Sequence, residues 1–379
     1  MQFHTRFYLK TSPENSSRMK ILFLIAELCS RGAEHQMVTL ARLLKADGHD
    51  VSFLCYYTNN FFEHILIDQG IPVQWLPSMG CIKRMIKIRN IIRNSNYNAV
   101  VSFLITDNFL NNFAAIGGHS WKVVTGERSS KESLLTSRKG RIFAWFQRYA
   151  DNIVCNSENA RKMWIKHYPQ YESKLLVIYN TVQIPKLENT HELRKDGKTH
   201  IIIAGAYAYV KDPYSLIHAV SLLSKEQQNK IIVDWYGKIG TNREADRIYK
   251  VCQKLIEVYG LEETFILHDA TIQIADRMNE ADVVALISRW EGLPNSICEG
   301  MAIGKPVIMT RISDYTVLID ERNGWICTSG FPDSIARVLI EIINTSDENL
   351  IARGEASKEK ARHLFLDKKI LKDWLNLLK

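Results

Sequence analysis

The stretch Ser288-Arg-Trp-Glu-Gly-Leu-Pro-Asn-Ser-Ile-Cys-Glu-Gly-Met-Ala-Ile-Gly-Lys-Pro-Val307 decides how the whole chain is read. It follows Asp282-Val-Val-Ala-Leu-Ile287, an apolar run of the kind that forms a parallel strand covered on both faces. Pro294, Asn295 and Ser296 then supply helix-start chemistry: a ring with preset φ and side chains able to cap free N–H groups. Gly304 ends that short helix, and Lys305-Pro306 leads into the next strand at Val307. Glu299 lies one helical turn beyond Asn295, so the two share a face, and Glu291 sits on the turn just before. Two carboxylates and a helix N-terminus therefore converge at the carboxyl end of a parallel strand. Open α/β sheets bind ligands there, and helix N-termini attract phosphate. Paired acids at this spacing are common on surface helices, whereas the strand, proline, helix and glycine exit together are far more specific.

Outward from this stretch, apolar runs alternate with helical patterns. Strands are expected at Ile21–Ala26, Val51–Tyr56, Val73–Leu76, Ala99–Phe103, Lys122–Thr125 and Asn152–Cys155 in the first half. The second half gives His200–Ala204, Ile231–Trp235, Phe265–Leu267, Val283–Ile287 and Val307–Met309. Such alternation implies parallel sheets with right-handed crossovers, and 379 residues exceed what one core usually supports. The expected organisation is a polar tail over 1–18, a first doubly wound half over 19–182, a linker rich in Lys, Glu, Asn and His over 183–198, a second half over 199–362 and an amphipathic terminal helix over 363–379. His49, in a turn before the second strand, reads as structural.

With these residues in view, Glu291 to Glu299 resembles the E-x7-E signature of the retaining nucleotide-sugar glycosyltransferases with the GT-B fold, in particular glycosyltransferase family 4. The likeness runs from about Lys20 to the C-terminus. It implies an α/β fold of GT-B type: two Rossmann-like doubly wound domains facing a central cleft, with the last helix crossing back to the first domain. It also implies that Glu291 hydrogen-bonds a donor-sugar hydroxyl and Glu299 the ribose hydroxyls, with Gly292, Leu293, Asn295 and Ser296 completing the donor site.

Four further segments bear on chemistry. Ser30-Arg-Gly-Ala-Glu34 resembles the family's G-G-A-E turn with Arg31 in place of the first glycine; Gly32 and Ala33 are the expected acceptor-side residues, and a plain strand-to-helix turn is the alternative. Ile203-Ala-Gly-Ala-Tyr-Ala-Tyr-Val-Lys-Asp212 resembles G-R-x-x-x-x-K, where Gly205 and Lys211 match but Ala206 replaces the arginine. Lys211 is then the leading cation for the departing phosphate, and one bidentate phosphate contact is lost. A solvated loop lysine is the plainer alternative. Glu127 and Arg128 resemble an E-R pair found in part of the family, suited to orienting acceptor or leaving group, with an ordinary surface ion pair as the alternative. Ala150-Asp-Asn-Ile-Val-Cys-Asn-Ser-Glu158 resembles another family stretch, in which Ser157 reads as a helix N-cap.

Composition sets limits. The cysteines (29, 55, 81, 155, 252, 298, 327) are scattered without a C-x-x-C pair, which points to reduced thiols and away from a disulfide frame or zinc site. No run approaches the roughly 18 apolar residues of a membrane span, and no signal-peptide core opens the chain. The net charge of +8 admits anionic substrates, a lipid surface or nucleic acid. Much of it lies in Lys83, Arg84, Lys87, Arg89 and Arg93, interleaved with isoleucines. That pattern suits a crossover helix with solvated charges, or a basic helix resting on anionic lipid. No nucleic-acid motif accompanies it.

The expected activity is retaining, metal-independent transfer of a hexose or N-acetylhexosamine from a nucleotide sugar, UDP favoured, to a lipid-linked or growing surface glycan. No cofactor is expected beyond that co-substrate, and the expected location is cytoplasmic, peripheral on the inner face of the membrane. Lys211, Glu291, Glu127 and Arg128 are the catalytic candidates, and the family pattern implies no protein nucleophile. The alternatives are a non-catalytic GT-B scaffold in a glycan-assembly complex, favoured by the missing arginine, or another GT-B enzyme such as a sugar-nucleotide epimerase.

Overall fold

Every apolar run expected to be a strand is one in the computed structural model, which describes residues 18–29, 31–128, 132–182, 192–194, 196–240 and 242–379. Residues 1–17 of the expected tail, most of the expected linker, Ser30 and Ser129 lie outside the described residues. The first sheet comprises β1 (Lys20–Ile25), β2 (Asp50–Cys55), β3 (Val73–Trp75), β4 (Ala99–Ser102), β5 (Lys122–Glu127), β6 (Asn152–Cys155) and β7 (Leu175–Val177). The second comprises β8 (Thr199–Ala204), β9 (Ile231–Tyr236), β10 (Phe265–His268), β11 (Val283–Leu286), β12 (Val307–Thr310) and β13 (Gly324–Cys327). Their orders are β3-β2-β1-β4-β5-β6-β7 and β10-β9-β8-β11-β12-β13. The registered pairings are parallel, as in β11 on β8, where Val283, Val284 and Ala285 face Ile201, Ile202 and Ile203. Tertiary contacts divide the chain into two compact units. One holds the chain through Thr125 with Phe146–Asp151 and Leu378–Lys379; the other holds Gly126–Trp145 and Asn152–Leu377.

Burial on both faces explains the unbroken apolar runs. In the second sheet, Ile201, Ile203, Val283 and Ala285 pack into one apolar cluster, while Ile202, Val284 and Leu286 pack into another on the opposite face. The helix Asn295–Ile303 is drawn tight against β11 because Gly300 has no side chain: a Cβ there would stand 2.8 Å from Val284 Cβ. Gly304 ends it with φ +95, its N–H bonded to the carbonyls of Gly300 and Met301. This contact fixes where the helix begins relative to the end of the strand.

Other expectations resolve locally. His49 is buried and its Nδ1 accepts the Met19 N–H at 3.1 Å, a structural role. Ser157 caps the helix Glu158–His167 by accepting the Ala160 N–H. The terminal amphipathic stretch forms the helix Asp367–Leu378, after a separate helix, Asp347–Phe365. All seven cysteines are free, and only Cys81 is exposed.

The basic helix Cys81–Arg93 uses most of its charge internally. Arg89 Nη1 donates to the carbonyls of Phe113 and Ala114, and Arg93 Nη1 donates to that of Gly118. These contacts satisfy groups left unpaired at the carboxyl end of the helix Ile105–Ala115 and in the turn after it. Arg84 lies over the rings of Tyr56 and Tyr57, leaving Lys83 and Lys87 in solvent. Ile88 and Ile92 are buried, as a crossover helix requires, while Ile82 and Ile86 are exposed.

Candidate active site

The order of the second sheet reverses between β8 and β11, so a crevice forms between the loops leaving those strands. One loop carries Gly205 and Lys211, the other Ser288 to Pro294, and the two meet. Lys211 Nζ donates to Glu291 Oε1 at 2.5 Å, and Ser288 Oγ donates to the same oxygen at 2.8 Å. Only 21% of the lysine side chain and 17% of the glutamate side chain reach solvent. Their attraction is therefore screened less than that of a surface pair.

The loops are also braced behind this pair. The Arg289 N–H donates to the Val210 carbonyl at 2.8 Å, and Arg289 Nη2 donates to Asp212 Oδ1 at 2.8 Å. The guanidinium lies 4.5 Å from the centroid of the Tyr209 ring. Asp212 is fully buried and its Oδ2 accepts the Gly330 N–H at 3.1 Å. Its φ of +49 is left-handed, a conformation that costs a non-glycine residue and persists only where its surroundings impose it. Lys211 thus precedes a turn locked by Arg289. The lysine stem packs over Gly205, where a Cβ would stand 3.5 Å from Lys211 Cδ, an ordinary van der Waals contact.

Asn295 and Ser296 do not cap their helix, contrary to the expectation. Pro294 occupies the cap position, and its carbonyl accepts the N–H groups of Ile297 and Cys298, both at 3.1 Å. Asn295 and Ser296 are the first helical residues, and their N–H groups make no hydrogen bond among the described residues. Released from capping, Asn295 Oδ1 accepts Asn180 Nδ2 at 2.9 Å, while Asn180 Oδ1 accepts Arg128 Nη1 at 2.9 Å. Burial pushes the Arg128 pKa down to about 9, so the guanidinium stays charged at neutral pH.

Gly292 shows why the E-R segment belongs here. Its carbonyl accepts Ser313 Oγ, and a Cβ on it would stand 2.5 Å from the Arg128 carbonyl oxygen and 3.2 Å from Asn156 Nδ2. Glu127 ends β5, and its carbonyl accepts the Asn156 N–H at 3.1 Å. The Leu293 side chain is buried in the apolar cluster with Ile297 and Val284. Glu299 is half-buried and makes no hydrogen bond or ion pair among the described residues; burial raises its carboxyl pKa to about 7. The structure thus brings together Lys211, Glu291, Gly205, Gly292, Asn295, Ser296 and Arg128. It also adds Ser288, Arg289, Asp212 and Asn180, which no local pattern announced.

Gly32 and Ala33 lie in the other compact unit, where they open the helix Gly32–Ala46 at the reversal between β1 and β4. Arg31, in place of the family glycine, pairs with Glu27 and with Glu34, whose buried carboxylate also accepts Cys29 Sγ at 3.1 Å. Glu34 is therefore engaged within its own turn. Nearby in sequence to β4, Asp107 is fully buried and accepts the Tyr56 hydroxyl, while its Oδ2 has no hydrogen-bond partner among the described residues. Burial raises its pKa to about 7. Among the described residues, no group of three or more His, Cys, Asp or Glu side chains could hold a metal ion, and no helix is long and apolar enough to cross a membrane.

Comparison with known proteins agrees with this geometry. Residues 186–360 match the family model for glycosyl transferases group 1, and residues 30–184 match that for glycosyltransferase family 4. An uncharacterised glycosyltransferase of Methanocaldococcus jannaschii is 22% identical over 63% of this chain, which spans 61% of that relative's length. An Escherichia coli UDP-Gal:alpha-D-GlcNAc-diphosphoundecaprenol alpha-1,3-galactosyltransferase is 20% identical over 90% of this chain and 92% of its own. The Anabaena protein HepE, solved with UDP and glucose, superposes with a TM-score of 0.81 at 18% identity, over 95% of this chain and 99% of that one.

Proposed function

Because the chain belongs to the family 4, group 1 glycosyltransferases, we propose that it transfers a hexose or N-acetylhexosamine from a UDP-sugar to a lipid-linked or growing surface glycan, with retention at the anomeric carbon. The observation that carries this reading is the crevice between the loops after β8 and β11. A cation, Lys211, and two open N–H groups, on Asn295 and Ser296, stand beside two carboxylates of different character. Cation and N–H groups suit a diphosphate, and carboxylates suit sugar hydroxyls. The E. coli relative's UDP-Gal donor and diphosphoundecaprenol-linked acceptor support the choice of donor and acceptor class.

In this reading the diphosphate lies against Lys211 and the start of the helix Asn295–Ile303. Glu291 accepts a hydroxyl of the donor sugar and Glu299 the ribose hydroxyls. The bond between the anomeric carbon and the phosphate oxygen breaks while an acceptor hydroxyl oxygen bonds that carbon from the same face. The hydroxyl proton passes to the departing phosphate oxygen, and UDP leaves. Charge building on the diphosphate is met by preorganised donors, which stabilise a transition state without reorganising. Lys211 and the N–H groups carry that task without a metal ion. Arg128, tied through Asn180 to Asn295, holds the helix start in place.

The test is transfer itself. Purified protein is given UDP-, GDP- and ADP-sugars with a polyprenyl-diphosphate-linked N-acetylhexosamine, and the product is read by NMR. UDP release with an α-linked product is expected. A β-linked product rejects retention, and turnover confined to a GDP- or ADP-sugar rejects the donor.

A further inference from the structure

The helix Arg138–Phe146 presents the wrong face to solvent for an ordinary surface helix. Gly140 and Ala144, one turn apart, form its buried side. The packing there is close: a Cβ on Gly140 would stand 1.9 Å from the carbonyl oxygen of Leu134, in the preceding helix Glu132–Thr136. With its two small residues turned inward, the helix exposes 57% of Ile142 and 46% of Trp145, and Leu134 beside it is 43% exposed. Arg138 and Arg141 share this outward face, Lys139 flanks it, and all three are exposed. The helix contains no acidic residue. These cations make local contacts: Arg141 Nε donates to the Thr136 carbonyl, and Lys139 Nζ lies 5.3 Å from the Phe143 ring centroid.

We propose that this face docks the protein on an anionic lipid bilayer, with Ile142 and Trp145 seated at the headgroup boundary and Arg138, Lys139 and Arg141 meeting lipid phosphates. Exposed isoleucine and tryptophan on a helix whose charged residues are all cations is the composition of an interfacial amphipathic helix, and tryptophan favours the boundary between headgroups and chains; the nearby acid Glu132 is paired with Lys166 and His167. Charge selects the occupant, because the cations of this helix repel a basic partner and are complementary to a leaflet of anionic lipid. The helix Cys81–Arg93 is the weaker candidate, since Arg84, Arg89 and Arg93 are held within the fold. This assignment goes beyond the proposed reaction and does not depend on which sugar is transferred.

The experiment is co-sedimentation of the full chain with phosphatidylglycerol vesicles and with phosphatidylcholine vesicles. Binding to the anionic vesicles alone, weakened by salt, is expected. Each cation near such a surface contributes about fivefold, so Arg138→Glu/Arg141→Glu should weaken binding roughly thirtyfold or more. Ile142→Ser/Trp145→Ser should weaken it about tenfold or more. Lys83→Glu/Lys87→Glu is the control and should bind within a few-fold of the parent. Absence of binding to anionic vesicles overturns the proposal, as does equal binding to neutral ones. Retention of binding by Arg138→Glu/Arg141→Glu, or loss only in the lysine control, also overturns it. UDP affinity measured on the same preparations should be unchanged; a parent chain that binds vesicles but no UDP leaves this proposal standing and removes the donor reading.

Discussion

Lys211 and Glu291 stand 80 residues apart in the chain, yet the lysine Nζ lies 2.5 Å from the glutamate Oε1. Each neutralises the other. In the proposed reaction, a diphosphate arriving at the helix start would compete with Glu291 for the lysine, and a sugar hydroxyl arriving at Glu291 would take up the acceptor capacity the lysine leaves. The pair thus keeps both groups compact and ready without leaving either charge unpaired in a half-shielded site.

The first consequence concerns Lys211. If it meets charge that builds as the glycosidic bond breaks, Lys211→Ala should lower kcat on the order of a hundredfold or more, with a smaller rise in donor KM. Steady-state kinetics at saturating donor checks this. An unchanged kcat means that the lysine only balances Glu291.

Glu299 makes donor affinity depend on pH. Its carboxyl pKa of about 7 means that the empty site holds the protonated acid below that pH, whereas ribose hydroxyls call for the ionised acceptor. The sign is fixed: UDP-sugar affinity should rise as pH climbs through about 7 and fall up to tenfold per unit below it. For the empty fold the same shift runs the other way, with stability lost as pH rises from the ordinary glutamate range to about 7. Calorimetry across pH 5.5–8.5 (on the order of three units around that midpoint) reads the first effect, and it should vanish in Glu299→Gln.

Gly292 is held between Ser313 and the Arg128 backbone. Because a Cβ would stand 2.5 Å from the Arg128 carbonyl oxygen, Gly292→Ala must displace that segment. Overpacking of this kind costs roughly 1–3 kcal/mol, so the melting temperature should fall together with donor affinity. A melt and an affinity matching the parent would show that the Arg128 segment yields freely.

Chelation separates the two ways of holding a diphosphate. With Lys211 and the N–H groups of Asn295 and Ser296 carrying the charge, turnover should persist in excess EDTA. Loss of activity that manganese or magnesium restores would reassign the phosphate site.

What was legible in the chain follows what is local. The run before Ser288 and the glycine after Ile303 announced strand, helix and exit, because burial on both faces and a left-handed stop are written in consecutive residues. The two strands that escaped notice, β7 and β13, are both edge strands, with β7 carrying Leu176 exposed and β13 opening on Gly324. They span three and four residues, too short a stretch to stand out as an apolar run. Glu291, Glu299 and Lys211 stood out through motif resemblance, but Arg289 on Asp212 and Asn180 on Asn295 join residues 77 and 115 positions apart, and no periodicity reports such pairs. Cap chemistry is shared by neighbours: Asn295 sits one position inside the helix, and Pro294, at the cap position, offers no side-chain cap.

The most direct test of the donor site is calorimetric titration of UDP, GDP and ADP into the parent chain and into Glu299→Gln at pH 8, above the Glu299 midpoint of about 7. Removing one charge-assisted hydrogen bond costs roughly 1.5–3 kcal/mol. The parent should bind UDP in preference to GDP and ADP, and Glu299→Gln should bind UDP about tenfold or more weakly with a melting temperature no lower than the parent's, since the amide removes a buried charge. Equal UDP affinity in the two proteins, or no UDP binding by the parent, would contradict the assignment of this crevice to a nucleotide-sugar donor.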